Sequence, residues 1–161
     1  MGFQDKVLSR EINQNLYEQQ KTLATAESCT GGGIAQAIIA SPGASSYFKG
    51  GIVSYTNEVK TNLLHVPAEL IAEKSVVSEE VAVAMVKGAI EALNTDYAVA
   101  VTGIAGPAGG TDEIPVGTIW IACGTMDNIT TCKLTDDEGR DKNISNAIST
   151  ALQMILDMIK K

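Results

Sequence analysis

The stretch Leu23-Ala24-Thr25-Ala26-Glu27-Ser28-Cys29-Thr30-Gly31-Gly32-Gly33-Ile34-Ala35-Gln36-Ala37-Ile38-Ile39 decides the fold. A short strand pattern (Leu23 to Ala26) runs directly into a polar step and three glycines. A small, very apolar helix pattern follows, and Ser41-Pro42-Gly43 ends it. A strand feeding straight into a helix is the building unit of a layered α/β protein. Upstream, residues 4–20 read as a polar amphipathic helix with Val7, Ile12 and Leu16 on one face. Downstream, residues 50–55 read as a strand centred on Ile52 and Val53, and Asn57 as the cap of a short helix through Lys60 to Leu64. Pro67 suits the first turn of another short helix carrying Leu70 and Ile71.

Ser78-Glu79-Glu80 has the form of a helix start: a hydroxyl cap, then two carboxylates at the positive end of the dipole. Val81, Met85, Ala89 and Ala92 continue it at helical spacing. Residues 97–101 and 118–123 are apolar runs of strand length. Residues 128–134 read as a more exposed strand, antiparallel to its predecessor through a turn at Met126-Asp127. Residues 141–159 close the chain as a helix striped by Ile144, Ile148, Leu152, Ile155 and Ile159. The expected architecture is a three-layer α/β/α sandwich with a mixed, mainly parallel sheet. The last strands lie too close in sequence for a parallel crossover. At 161 residues the chain is expected to form one domain, spanning 1–161.

Composition narrows the function. Hydrophobic residues make up 45% but aromatics only 4%, so the core must be built from Ala, Val, Ile and Leu. The 19 acidic against 12 basic residues give a net charge of −7, which argues against nucleic-acid binding and against a basic membrane-surface protein. One histidine, His65, cannot supply a multi-His metal centre, and Cys29, Cys123 and Cys132 lack C-x-x-C spacing, so no metal is expected. An odd number of thiols fits a reducing compartment. The polar start shows no secretory pattern, and no run approaches the ~18 apolar residues of a membrane span. The expectation is a cytoplasmic protein.

Four segments carry polar residues that core formation does not require. In Glu27 to Gly33, unpaired N–H groups at a helix start suit an anion or a developing oxyanion. Ser28 sits where an exposed hydroxyl can attack a carbonyl. The same residues also make an ordinary glycine turn with Ser and Thr capping the helix. In Ser54-Tyr55-Thr56-Asn57-Glu58-Val59-Lys60, Lys60 reads either as a solvated surface lysine or as a desolvated general base towards a serine. Tyr55 reads either as a proton donor or acceptor or as a shield for the sheet. Thr102 to Thr111, with four glycines and Pro107, forms a loop whose backbone can approach a ligand closely; it is neither a Walker A loop nor G-x-G-x-x-G. Arg140, in Asp137 to Asp141, suits bidentate recognition of phosphate or carboxylate, or a salt bridge to a neighbouring acid.

Rival readings use other residues. Ser46-Tyr47-Phe48-Lys49 matches the S-x-x-K of penicillin-recognising enzymes but has no K-T-G or S-D-N companion. Cys29 is an alternative nucleophile, because a helix N-terminus lowers a thiol pKa. His65 lies in no suggestive motif.

Taken in order, the motifs resemble one family. Ala26-Glu27-Ser28-Cys29-Thr30-Gly31-Gly32 and Gly51-Ile52-Val53-Ser54-Tyr55-Thr56-Asn57-Glu58-Val59-Lys60 look like its first two signatures. Val77-Ser78-Glu79, Thr102-Gly103-Ile104-Ala105-Gly106-Pro107 with Gly109-Gly110, Pro115-Val116-Gly117-Thr118 and the Gly139-Arg140 step follow in register. The chain thus resembles the CinA C-terminal domain family, whose stand-alone members are the PncC-type nicotinamide mononucleotide deamidases. The likeness runs from about residue 5 to 159. Ala108 departs from it, standing where relatives often carry a polar residue or Gly.

The resemblance implies metal- and cofactor-free hydrolysis of the carboxamide of nicotinamide mononucleotide, within pyridine nucleotide (NAD) salvage. It implies Ser28 as nucleophile, Lys60 as base and Tyr55 as an assisting group. It further implies substrate-binding roles for Thr30, Gly31, Gly32, Asn57, Thr102, Gly103, Gly106 and Arg140. A homo-oligomer is implied as well, with a dimer favoured. The nucleotide-related domain that precedes this one in two-domain CinA proteins is not expected here. A non-catalytic nucleotide-binding module and a Cys29-dependent amidase remain as alternatives.

Overall fold

The computed structural model describes residues 2–161. Helix α1 (Phe3–Gln19) precedes strand β1 (Leu23–Glu27), helix α2 (Gly33–Ile39), a single 3₁₀ turn (Ala44–Ser46) and strand β2 (Phe48–Val53). Helices α3 (Asn57–Leu64), α4 (Ala68–Lys74) and α5 (Glu79–Leu93) then lead to β3 (Tyr97–Gly103). Strands β4 (Ile119–Gly124) and β5 (Ile129–Leu134) and helix α6 (Arg140–Ile159) complete the chain. The sheet order is β2-β1-β3-β4-β5. Strand β1 pairs in parallel with β2 and β3, while β3–β4 and β4–β5 are antiparallel. Four of the five strands therefore point the same way. This is the expected mixed sheet, with all five expected strands present.

Strand alternation gives the sheet two different faces. Leu23, Val99, Val101, Ile121 and Cys123 point to the layer of α1, α2 and α6. Ala24, Ala26, Ala98, Ala100 and Ala122 point to α5, together with Leu64 and Val66. A face made of alanines lets α5 lie close to the sheet, which is how a chain poor in aromatics fills its core. The closeness extends to α3. A Cβ at Gly88 of α5 would run into the backbone carbonyl of Leu64, so the two helices touch backbone to side.

Several local expectations need correction. On α1 the inward stripe is Leu8, Ile12 and Leu16, spaced four apart, whereas Val7 is 37% exposed. Ala92 of α5 faces solvent, on the outer side of a helix whose Ala89 and Leu93 turn to the sheet. Val53 is half-exposed because β2 is an edge strand. The cap of α3 is Thr56, whose hydroxyl accepts from Val59 N–H, and Asn57 is the first helical residue. Ser78 caps α5 as expected, accepting from Val81 N–H.

The connections place the site. From β1 the chain leaves through α2 on one face of the sheet to reach β2. From β2 it returns through α5 on the other face to reach β3, on the opposite side of β1. The carboxyl ends of β1 and β3 thus flank a topological switch point, where open α/β sheets leave a crevice. Among the described residues, no helix is long and apolar enough to cross a membrane.

Because the Gly88–Leu64 approach sets the seat of α3, Gly88→Ala should destabilise the protein by about 1–3 kcal/mol, through overpacking. Urea unfolding should show a lower midpoint. An unchanged or higher midpoint, the usual result of replacing Gly by Ala inside a helix, contradicts this packing.

Candidate active site

The crevice at the end of β1 and β3 opens into a cavity of about 370 Å³, within the ~300–1,000 Å³ of small-ligand sites. Its lining brings together Ser28, Tyr55, Asn57, Lys60, Thr102, Gly103, Gly106 and Arg140, eight of the residues singled out in the sequence. Thr30, Gly31 and Gly32 lie outside the lining, and they shape the turn behind Ser28.

Ser28 follows the last residue of β1, and its N–H donates to Val101 of β3 at 3.0 Å. It is not an exposed hydroxyl: it sits 8% exposed at the cavity wall. Lys60 reaches it from the first turns of α3. The Nζ donates to Ser28 Oγ at 3.0 Å and to the Ser54 carbonyl at 2.7 Å. At 1% exposure, Lys60 is no surface lysine. No carboxylate pairs with it among the described residues. Burial without a counter-charge penalises the ammonium form and lowers its pKa from 10.5 to about 8, opposed by the neighbouring Cys29.

The turn behind Ser28 is organised by Glu27, to which the sequence reading assigned no part. Its carboxylate, 1% exposed, accepts from Thr30 Oγ1 at 2.7 Å, Ile34 N–H at 2.9 Å and Ala35 N–H at 2.8 Å. Gly31 and Gly32, at φ 59° and 98°, bend the chain back so that these groups reach it. The first amides of α2 are therefore committed, Gly33 to the Thr30 carbonyl and Ile34 and Ala35 to Glu27, and do not face a ligand. The amide of Thr30 has no partner among the described residues and that of Cys29 meets only its own thiol, and these two lie nearest the Ser28 hydroxyl in sequence. The Cys29 thiol is pushed up to about 11 by burial, so it is protonated at neutral pH.

Tyr55 is 60% exposed at the cavity rim and its hydroxyl bonds neither Ser28 nor Lys60. Thr102 is 1% exposed, and its hydroxyl proton goes to the Val76 carbonyl at 2.9 Å. Arg140, at the start of α6, donates from Nη1 to the Gly106 carbonyl at 2.8 Å. This ties α6 to the loop between β3 and β4. Buried Asn143, one turn along α6, strengthens the tie by donating to the Ala105 carbonyl and to Asp137. The remaining N–H groups of the Arg140 guanidinium are available to a ligand. No Asp or Glu lines the cavity, and Lys60 and Arg140 are its basic residues. Among the described residues, no three His, Cys, Asp or Glu side chains cluster as a metal-ligand set.

Residues 5–159 match the family described as the CinA C-terminal domain. A CinA-like protein of Cytophaga hutchinsonii is 40% identical over 160 residues, covering 99% of this chain and 38% of that protein. The nicotinamide-nucleotide amidohydrolase PncC of Escherichia coli is 47% identical over 118 residues, covering 73% of this chain and 72% of that protein. The crystal structure of the competence/damage inducible protein CihA from Agrobacterium tumefaciens superposes with a TM-score of 0.96 at 34% identity. That match covers 100% of this chain and 98% of the other. The chain spans about a third of the length of the CinA-like relatives it matches.

The buried amine makes a stability prediction independent of any substrate. The folded protein gives up its Lys60 proton near pH 8 and the unfolded chain near 10.5. Between those values the unfolded state binds more protons, so stability rises with pH. Relative to Lys60→Met, which lacks this titration, the wild type should gain about 3 kcal/mol between pH 7 and pH 11. Denaturant unfolding of both proteins across that range measures it. A constant difference would mean that Lys60 titrates alike in both states.

Proposed function

The chain belongs to the CinA C-terminal domain family, and on that basis we propose that it is an amidohydrolase converting nicotinamide mononucleotide to nicotinic acid mononucleotide and ammonia. The observation that carries the reading is the 3.0 Å contact between Ser28 Oγ and a buried amine of lowered pKa, at the wall of a cavity. Likeness to the Escherichia coli amidohydrolase supports the choice of substrate. The proposal extends to a cytoplasmic protein acting in pyridine nucleotide salvage.

The chemistry follows from what an amide demands: a nucleophile, a base that later protonates the departing nitrogen, and donors for the oxyanion. Neutral Lys60 Nζ takes the Ser28 proton as Oγ bonds to the carboxamide carbon. The carbonyl π electrons move onto oxygen, where the Cys29 and Thr30 amides are the candidate donors. Collapse re-forms the C=O and breaks the C–N bond, while Lys60 delivers its proton to the leaving nitrogen as ammonia departs. Water then attacks the Ser28 ester, giving its proton to Lys60. Ser28 Oγ leaves and recovers that proton, and the acid so formed gives its remaining proton to solvent and departs as a carboxylate. Lys60 thus does the shuttling for which a histidine is commonly used. The Ser54 carbonyl, fixed at 2.7 Å, holds the amine in place through both half-reactions.

Arg140 and the N–H groups of the Gly103–Gly109 loop provide the positive surroundings that a ribose phosphate requires. Asn57 and Tyr55 also line the cavity as substrate-contacting candidates. Tyr55 acts on the substrate rather than on the Ser28–Lys60 pair, since it bonds to neither.

Purified protein should release ammonia and nicotinic acid mononucleotide in equal amounts from nicotinamide mononucleotide. Ser28→Ala should lower kcat on the order of 10³-fold or more, while Cys29→Ser keeps most of the activity. Because the working form of Lys60 is neutral, kcat/KM should rise with pH through about 8 and level off above it. An active Ser28→Ala protein removes the nucleophile. A profile that is flat from pH 6 to 9 removes the base.

A further inference from the structure

Four non-glycine residues have positive φ among the described residues: Gln20, His65, Ser75 and Asn94. Gln20, His65 and Asn94 end helices in the ordinary left-handed basin, with φ of 49–55° and ψ of 29–60°. Ser75, after α4, is different. Its φ of 76° and ψ of 151° fall in a region that essentially only glycine occupies without strain. Ser75 is also the one member of this group that lines the cavity.

The neighbouring bonds hold Ser75 in that conformation. Its carbonyl accepts from the Ser78 hydroxyl at 2.8 Å, and Ser78 is itself the cap of α5. Its Oγ accepts from Val77 N–H at 3.3 Å. The intervening Val76 carbonyl is held by Thr102 of β3 at 2.9 Å. The segment is thus pinned once to the cap of α5 and once to β3, with the Val77 bond bracing it internally. The Ser75 hydroxyl is used only as an acceptor, and its own proton has no acceptor among the described residues. Glycine at this position would remove the strain, and it would also remove the hydroxyl.

We propose that Ser75 is a substrate-contacting residue, kept in a glycine-type conformation so that its O–H is presented to the cavity and donates to an oxygen of the bound nucleotide. The inference rests on the nucleotide-deamidase reading above and adds a contact from the α5 face of the sheet, opposite Arg140 on the α6 face. The substrate is then gripped from both layers, with its carboxamide at Ser28 between them. Thr102 becomes a positioning residue, since its proton is spent on the wall that carries Ser75.

Kinetics and melting of two variants test the proposal. Ser75→Ala keeps the Cβ and removes the donor, and it should raise KM for nicotinamide mononucleotide about five- to tenfold with kcat changed less than twofold. Ser75→Gly should raise KM equally but melt about 2–6 °C above Ser75→Ala, because both lack the hydroxyl and only glycine relieves the backbone. Repeating the KM comparison with the nucleoside, which lacks the phosphate, assigns the oxygen. A ratio that persists points to the ribose or carboxamide, a ratio that falls to one points to the phosphate, and either upholds the contact. A Ser75→Ala KM within twofold of wild type on the nucleotide overturns the proposal, as does a Ser75→Gly melting point no higher than that of Ser75→Ala. A wild type that leaves nicotinamide mononucleotide intact overturns instead the reading on which the proposal rests.

Discussion

A lysine amine buried to 1% exposure with no counter-charge is the constraint on which the rest of the site depends. Burying an ammonium without a partner is costly, and the least costly resolution is to give up the proton. The fold makes that resolution useful by placing a serine hydroxyl 3.0 Å away and fixing the amine against the Ser54 carbonyl. The position of Lys60 in turn depends on α3, whose start is set by the Thr56 cap and whose end is pressed against Gly88 of α5. A carboxylate near Lys60 would restore its charge and remove the base. The cavity accordingly contains no Asp or Glu.

The one buried carboxylate nearby, Glu27, is kept from that role by its own bonds. Three short hydrogen bonds turn it away from the cavity and into the start of α2. Glu27 satisfies the orphan amides of a short helix and fixes the turn that carries Ser28. The cost is that the helix start is no longer open to an anion. In the proposed chemistry, oxyanion binding would fall instead to the loop amides of Cys29 and Thr30, and phosphate binding to Arg140. A protein of net charge −7 thus lines this cavity with Lys60 and Arg140 and with no Asp or Glu.

Most of the architecture was legible because it is written in local patterns. The five strands, the Ser78 cap and the antiparallel ending follow from periodicity, capping chemistry and the short spacing between the last strands. Register on α1 was harder to read, since Val7 and Leu8 are both apolar and only packing against α2 and α6 selects Leu8. Residue types named Ser28 and Lys60 as candidates, but their separation of 32 positions concealed the contact that decides between a surface lysine and a base. The family resemblance, not spacing, joined them. Glu27 was not legible at all, because its partners, seven and eight residues on, come within reach only after two glycines at positive φ. Ser75 was equally hidden, since nothing in a serine's neighbours announces a glycine-type backbone.

The proposed chemistry therefore depends on the protonation state of one side chain, Lys60. Selective ¹³C labelling of lysine, with Lys60 assigned by comparison with Lys60→Met, lets its titration be followed directly by NMR. A midpoint near 8 is expected. A Lys60 that titrates at 10.5 or above would mean a charged amine throughout the working pH range, and would contradict its role as the base for Ser28.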